Sequence, residues 1–362
     1  MNAGSVHPGW GSGLVRVSGI GAPPDAVQAS IRTVLCPGGG EGAGTAWTDV
    51  TLAVSPDGTF ETSPAELGAG GWFRLEMRIV TADSTGAEAV LDAHVEPLGI
   101  GEVFVIAGQS YAISCHEQVT TVTDPVGRVV AFSPEAPAWR IAHDPQPGIT
   151  TRIDSSVLQE HAALKAGMDL RFPHGEHSPY VGSIWPTFGD HLVEIARVPV
   201  GMVNVAFGGT RVAQWQPGTQ LCANLCDAIK LVGDYRAVLW QQGQSDAIGE
   251  TTTADYVAYM LKLRSAVVAA TGLDRPWLPA QSAHQPTGVD LSLCEAQVRA
   301  AVDQLWQEPG FSPGPDTDHL RSDEYRADWW RGAHFTGKGQ RSAGLMWAAA
   351  VNNLLRNQSP RD

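Results

Sequence analysis

From about residue 10 to residue 100 the chain alternates apolar with polar positions in short runs. The runs are LVRVSG (14–19), QASIRTVL (28–35), WTDVTLAVS (47–55), GTFETS (58–63), GWFRLEMRIVTA (71–82) and EAVLDAHVEPL (88–98). Period-two alternation marks half-buried strands, and Pro-Asp-Gly, Gly-Gly and Asp-Ser-Thr-Gly between them mark turns. Six such strands without an amphipathic helical stretch predict a small antiparallel β-sandwich over residues 1–100.

After Gly101 the pattern changes. Continuous apolar runs VFVIA (103–107), VPVGMVNVAF (198–207), AVLWQQG (237–243) and WLPAQSA (277–283) alternate with helical stretches. The sequence DYVAYMLKLRSAVVAA starts after Thr253-Ala254 and ends at Gly272; LCEAQVRAAVDQLW (293–306) and GQRSAGLMWAAAVNNLL (339–355) carry apolar stripes at helical spacing. Fully apolar strands alternating with helices predict an α/β domain over 101–362, with a parallel sheet covered on both faces. Such sheets place their working residues at the carboxyl ends of the strands. Residues 116–180, rich in Pro, His and Asp, read as a long irregular insertion near that edge.

Composition narrows the partners. With 24 basic and 38 acidic residues, net charge −14, and no basic run, the chain is not built for nucleic acid or an anionic membrane. The opening MNAGSVHPGWGSG has neither a basic n-region nor an apolar h-region, and no 18-residue apolar run follows. That pattern reads as a soluble chain without a signal peptide, cytoplasmic, or secreted if a leader has been removed. The five cysteines (36, 115, 222, 226, 294) are odd in number and scattered, and read as ordinary thiols. His174 and His177 in FPHGEHSPY have a metal-ligand spacing, but the flanking Pro and Gly favour a loop, and no metal is expected.

Four polar blocks fall at the predicted strand ends: Gly108-Gln109-Ser110, then Gly208-Gly209-Thr210-Arg211 with Trp215, then Trp240-Gln241-Gln242-Gly243-Gln244-Ser245-Asp246, and late in the chain His334-Phe335-Thr336. Acyl transfer by serine needs a nucleophile, a base and hydrogen-bond donors aimed at an oxyanion. Ser110 offers an Oγ and its own N–H, a glycine of the 208–209 pair an unobstructed N–H, Gln242 an amide, and His334 a base.

In this order the four blocks resemble the SGNH hydrolases, and more narrowly the sialate O-acetylesterase-like carbohydrate esterases. The resemblance implies a flavodoxin-like three-layer α/β/α hydrolase domain behind an accessory β-sandwich, with no cofactor. It implies Ser110 as nucleophile, His334 as base, and an oxyanion hole of Ser110, Gly208 or Gly209, and Gln242. Gln109, Tyr111, His116, Arg211 and Gln244 are the candidates for lining the substrate site. The implied activity is removal of acetyl groups from a carbohydrate through an acyl-enzyme. The competing readings are a short-chain lipase or thioesterase with the same machinery, and a catalytically impaired carbohydrate-binding protein.

Three positions depart from the family pattern. Tyr111 stands where Asn is usual after Gly-Gln-Ser, Gln244 where Glu is usual after Gln-Gly, and Arg331 where the catalytic Asp precedes His by three. Asp328, six residues before His334 in YRADWWRGAHF, is the nearest acid and the candidate third member of the triad.

Overall fold

A computed structural model describes residues 11–133, 137–147, 181–286, 289–327 and 332–357. Before residue 100 they form nine strands: β1 (Ser12–Val15), β2 (Ser18–Ile20), β3 (Ala26–Gly40), β4 (Thr48–Val50), β5 (Leu52–Val54), β6 (Thr59–Thr62), β7 (Ala65–Gly68), β8 (Gly71–Ala82) and β9 (Glu88–Gly99). All their pairings are antiparallel, in sheets ordered β4-β3-β8-β9, β2-β6-β5 and β1-β7. Along β8 every second residue is buried, Phe73, Leu75, Met77 and Ile79 inward and Arg74, Glu76 and Arg78 on the other face.

Two of the expected strands are divided, and for one reason. The run 14–19 breaks at Arg16-Val17 because β1 pairs with β7 whereas β2 pairs with β6. The run 47–55 breaks at Thr51 because β4 pairs with β3 and β5 with β6. A chain that changes sheets must bend between its two pairings, and alternation alone does not mark the bend. The short strand β7 went unpredicted.

After Gly101 come β10 (Glu102–Gly108), β11 (Val129–Ser133), β12 (Ala138–Ile141), α1 (Trp185–Ala196), β13 (Val200–Asn204), α2 (Gln220–Val232), β14 (Ala237–Gln241), α3 (Gln244–Ile248), α4 (Thr253–Thr271), β15 (Trp277–Pro279), α5 (Ser292–Leu305) and α6 (Gly337–Asn357). The sheet order is β12-β11-β13-β10-β14-β15, parallel except for β12. Single parallel bridges from Trp277 to Phe311 and from Gln281 to Asp316 extend it beyond β15. The expectation of irregular chain over 116–180 needs correction, because β11 and β12 lie inside that stretch and complete one edge of the sheet.

The sheet separates two cores. Phe104 and Ile106 of β10 pack with Trp185, Phe188 and Leu192 of α1 and Trp347 and Val351 of α6. Val105 and Ala107 pack on the opposite face with Leu225 and Ile229 of α2, Met260 and Leu263 of α4, and Val298 and Val302 of α5. Successive β10 side chains therefore serve opposite layers, which is why the strand reads as continuously apolar. Helix α4 has Thr252 as N-cap and left-handed Gly272 as C-cap, as its sequence signals. Helix α1 was not foreseen; its Pro186 falls in the first turn, where a missing N–H is harmless. Among the described residues no helix is long and apolar enough to cross a membrane.

Candidate active site

Strands β10, β13 and β14 lie side by side, so the blocks at their carboxyl ends converge. At Gly108 a Cβ would fall 2.2 Å from the Gln241 carbonyl oxygen, and the backbone has φ +123°. Only glycine lets β10 leave the sheet so close to β14. Gln109 N–H then bonds to Gln241 O at 3.0 Å, and Phe207 N–H to Gly108 O at 2.9 Å, lacing the three ends together. Residues Ser110–Ala112 form one 3₁₀ turn.

Within that turn Ser110 is singled out by exposure. From Phe104 to His116 every residue is buried except Ser110. Its backbone N–H, and those of Gly208 and Gly209, have no hydrogen-bond partner among the described residues. Gly209 adopts φ +73° in the turn that follows β13.

His334 comes in from the far end of the chain. An antiparallel bridge joins Arg326 to Phe335, Ala327 N–H donates to His334 O at 2.8 Å, and Thr336 N–H to Tyr325 O at 3.0 Å. This ladder meets the Ser110 turn through Tyr111, whose ring lies 5.6 Å from the His334 ring, 5.7 Å from His116 and 4.9 Å from Phe335. The Tyr111 hydroxyl donates to Ala333 O and accepts from Arg326. Buried completely, the phenol is pushed up to about 12 and stays protonated as a donor.

Four of the five residues expected to line a substrate site are buried and committed elsewhere. Tyr111 is 1% exposed. Gln109 accepts from Gly243 N–H at 3.3 Å and Ser245 N–H at 3.1 Å, tying the first block to the third. Gln244 donates to Ser282 Oγ at 2.7 Å. His116 accepts from Phe335 N–H at Nδ1 (3.2 Å) and donates from Nε2 to Tyr111 O (3.2 Å). Arg211 alone of the five remains half-exposed. Polar and aromatic residues near strand ends look alike in sequence whether they face a ligand or brace a loop, and burial separates the four only in the fold.

Gln242 also differs from expectation. Both N–H groups of its amide are spent, on Thr210 O and on Asp246 Oδ2 (2.7 Å). In this arrangement it has no N–H left for an oxyanion and instead pins the loop that carries Gly208 and Gly209. Asp246 was overlooked as a support. Fully buried, it also accepts from Val212 N–H at 3.0 Å and Thr251 Oγ1 at 3.2 Å, and burial raises its carboxyl to about 6 against those bonds. Trp215 of the second block is buried against Trp240, with ring centroids 5.2 Å apart.

Asp328 and Arg331 lie outside the described residues, as do His174 and His177. The other acids before His334 are occupied or remote. Asp318 accepts from Ala283 and His284 N–H and from Arg299, Asp316 also binds Arg299, and Asp323 is exposed.

His116 supplies a stability test. Burial and the Arg326 charge lower its pKa from 6.5 to about 3. Between those values the unfolded imidazole binds a proton that the folded one refuses. Its contribution to stability is therefore complete above pH 6.5 and is lost as pH falls toward 3, by up to about 1.4 kcal/mol per pH unit. His116→Gln should flatten the fall of Tm between pH 6.5 and 4. An unchanged slope would place the acid sensitivity elsewhere.

No curated protein matches the chain in sequence. A carbohydrate acetylesterase from Xanthomonas citri has the same fold, with TM-score 0.57 and 16% identity, over 95% of this chain and 72% of that one. A protein from Arabidopsis thaliana is similar over 70% of this chain and 98% of its own, at 19% identity and TM-score 0.49. The family profile described as carbohydrate esterase, sialic acid-specific acetylesterase matches residues 100–353, the whole stretch that builds the four-block site. The profile spans well over half of the chain, and the chain belongs to the sialic acid-specific acetylesterase family of carbohydrate esterases, which makes it a carboxylic ester hydrolase.

Proposed function

We propose that the protein is a serine esterase that removes O-acetyl groups from a carbohydrate, with Ser110 as nucleophile. The observation that carries the reading is the isolated exposure of Ser110 beside unpaired backbone N–H groups at the junction of three strand ends. Ser110 Oγ attacks the ester carbonyl while His334 takes its proton. The oxyanion forms against the N–H of Ser110 and that of Gly208 or Gly209, which are preorganised and need no rearrangement. His334 then protonates the departing sugar oxygen, and water attacks the acetyl-enzyme with His334 again as base. Gln242 and Asp246 hold the glycine loop at its working distance. Asp328 orients His334.

We also read the antiparallel strands of residues 1–100 as an accessory β-sandwich packed on the hydrolase. The support is direct contact: Trp72 Nε1 donates to Val126 O at 3.2 Å, and Arg197 pairs with Glu41 at 3.0 Å.

The test is acetate release from acetylated xylan, pectin, xyloglucan and O-acetylated sialic acid, beside hydrolysis of 4-nitrophenyl acetate and octanoate and labelling by a fluorophosphonate. Acetate ester turnover well above octanoate, release from at least one glycan, and a label on Ser110 are expected. Octanoate preference would favour the lipase reading. No label and no turnover would favour a binding protein.

A further inference from the structure

A second histidine stands at the same sheet edge, two strands from β10. Beyond β15 the chain passes Ser282, whose Oγ accepts from Gln241 and Gln244. At Gly243 a Cβ would lie 2.6 Å from Ser282 O, so this segment packs directly on the loop that holds Gln109 beside Ser110. Two residues further is His284.

Its support is unusually complete. Asp318, 2% exposed and bound to Arg299 at 2.8 Å, accepts the N–H of Ala283 at 3.0 Å and of His284 at 2.9 Å. Glu295, on the first turn of α5, accepts from His284 Nδ1 at 3.1 Å and from Gln285 N–H at 3.0 Å. Arg321 lies 3.7 Å from Glu295. The carboxylate fixes the tautomer with the proton on Nδ1, which leaves the lone pair on Nε2. Burial and the charges of Arg326 and Arg321 outweigh Glu295 and keep the ring neutral. The side chain is 19% exposed, and Nε2 has no hydrogen-bond partner among the described residues.

A rigid neutral imidazole with one open acceptor suits a hydroxyl donor. Adjacent strands are spaced about 4.8 Å apart, so β15 lies roughly 10 Å from β10, a separation that a bound sugar can span. We infer that His284 is a specificity-determining residue: its Nε2 accepts a hydrogen bond from a free hydroxyl of the sugar whose acetyl ester is presented to Ser110. The inference rests on the carbohydrate reading above.

The test pairs two substitutions. His284→Asn keeps an amide donor near Nδ1 for Glu295 but has no atom at Nε2; His284→Gln can place its amide oxygen near Nε2. Each is assayed on partially acetylated xylo-oligosaccharides, on 9-O-acetylated sialic acid and on 4-nitrophenyl acetate, which has no hydroxyl to offer. Relative to 4-nitrophenyl acetate, kcat/KM of His284→Asn on the sugar ester should fall about tenfold or more, chiefly through KM. His284→Gln should recover much of that ratio. Equal losses on sugar and aryl esters, or an unchanged ratio in His284→Asn, would overturn the inference alone. A wild-type enzyme that hydrolyses 4-nitrophenyl acetate but neither sugar ester would overturn the carbohydrate reading, and this inference with it.

Discussion

Ser110→Ala is expected to lower ester turnover by about 10⁴-fold or more, the scale seen when a triad nucleophile is removed, without a measurable change in Tm. The structural half of that expectation is as specific as the catalytic half. Ser110 Oγ makes no hydrogen bond among the described residues. The bonds that hold the turn, from Ile113 N–H at 3.1 Å and Cys115 Sγ at 2.8 Å, go to the Ser110 carbonyl oxygen, which alanine keeps. Gly108, Gln109 and His116 hold the surrounding backbone by bonds that alanine leaves intact. Acetate release and circular dichroism on the same preparation separate the two effects. A folded variant that keeps wild-type turnover would remove Ser110 from the nucleophile's role.

The sequence reaches helices α4, α5 and α6 and strands β10, β13, β14 and β15 because each carries a local signal. Strand β10 is apolar on both faces, α4 carries its own caps, and the glycine that ends β10 is required by the approach of β14. What escapes is decided by distant partners. Val129–Ser133 becomes a strand because β13 offers it an edge, and Arg16-Val17 becomes a bend because β1 and β2 have different neighbours. Of the two, only the apolar run Val129-Val130-Ala131-Phe132 carries a local signal; the bend has none.

The site divides along the same line. The convergence of the first three blocks follows from strand order, which brings the Ser110 turn next to the glycine pair, whereas His334 is carried in by the bridge between Phe335 and Arg326. The direction of each side chain was not legible in the sequence. Tyr111 replaces a smaller polar residue, and its ring turns inward to touch His334 while its hydroxyl reaches Ala333. Gln242 turns to Thr210 and Asp246 because a buried carboxylate needs donors more than an empty cleft does. A Gln and an Asp four residues apart across a helix start, as at 242 and 246, was the available signal for that pair.

The identity of the acid gives the second large effect. A histidine base works best when a carboxylate fixes its tautomer and stabilises the imidazolium that forms. Arg331 occupies the place where that acid is usual, and a cation there would oppose the imidazolium. The described chain reaches Asp328 by a favourable route: Ala327, the residue before it, donates its N–H to His334 O, and Arg326 is bridged to Phe335. The backbone that leads into Asp328 is therefore hydrogen-bonded to that of the histidine it would serve. Asp323 provides the control, since it is exposed and precedes the ladder. Asp328→Asn should lower kcat by about 10⁴-fold, as loss of the orienting carboxylate does in other triads, while Asp323→Asn stays within about twofold. Equal Tm values for the two variants are part of the expectation, so that lost turnover reports on His334 rather than on folding. Small and equal losses in both would leave a Ser110–His334 dyad, with a backbone carbonyl as the group that holds the imidazole.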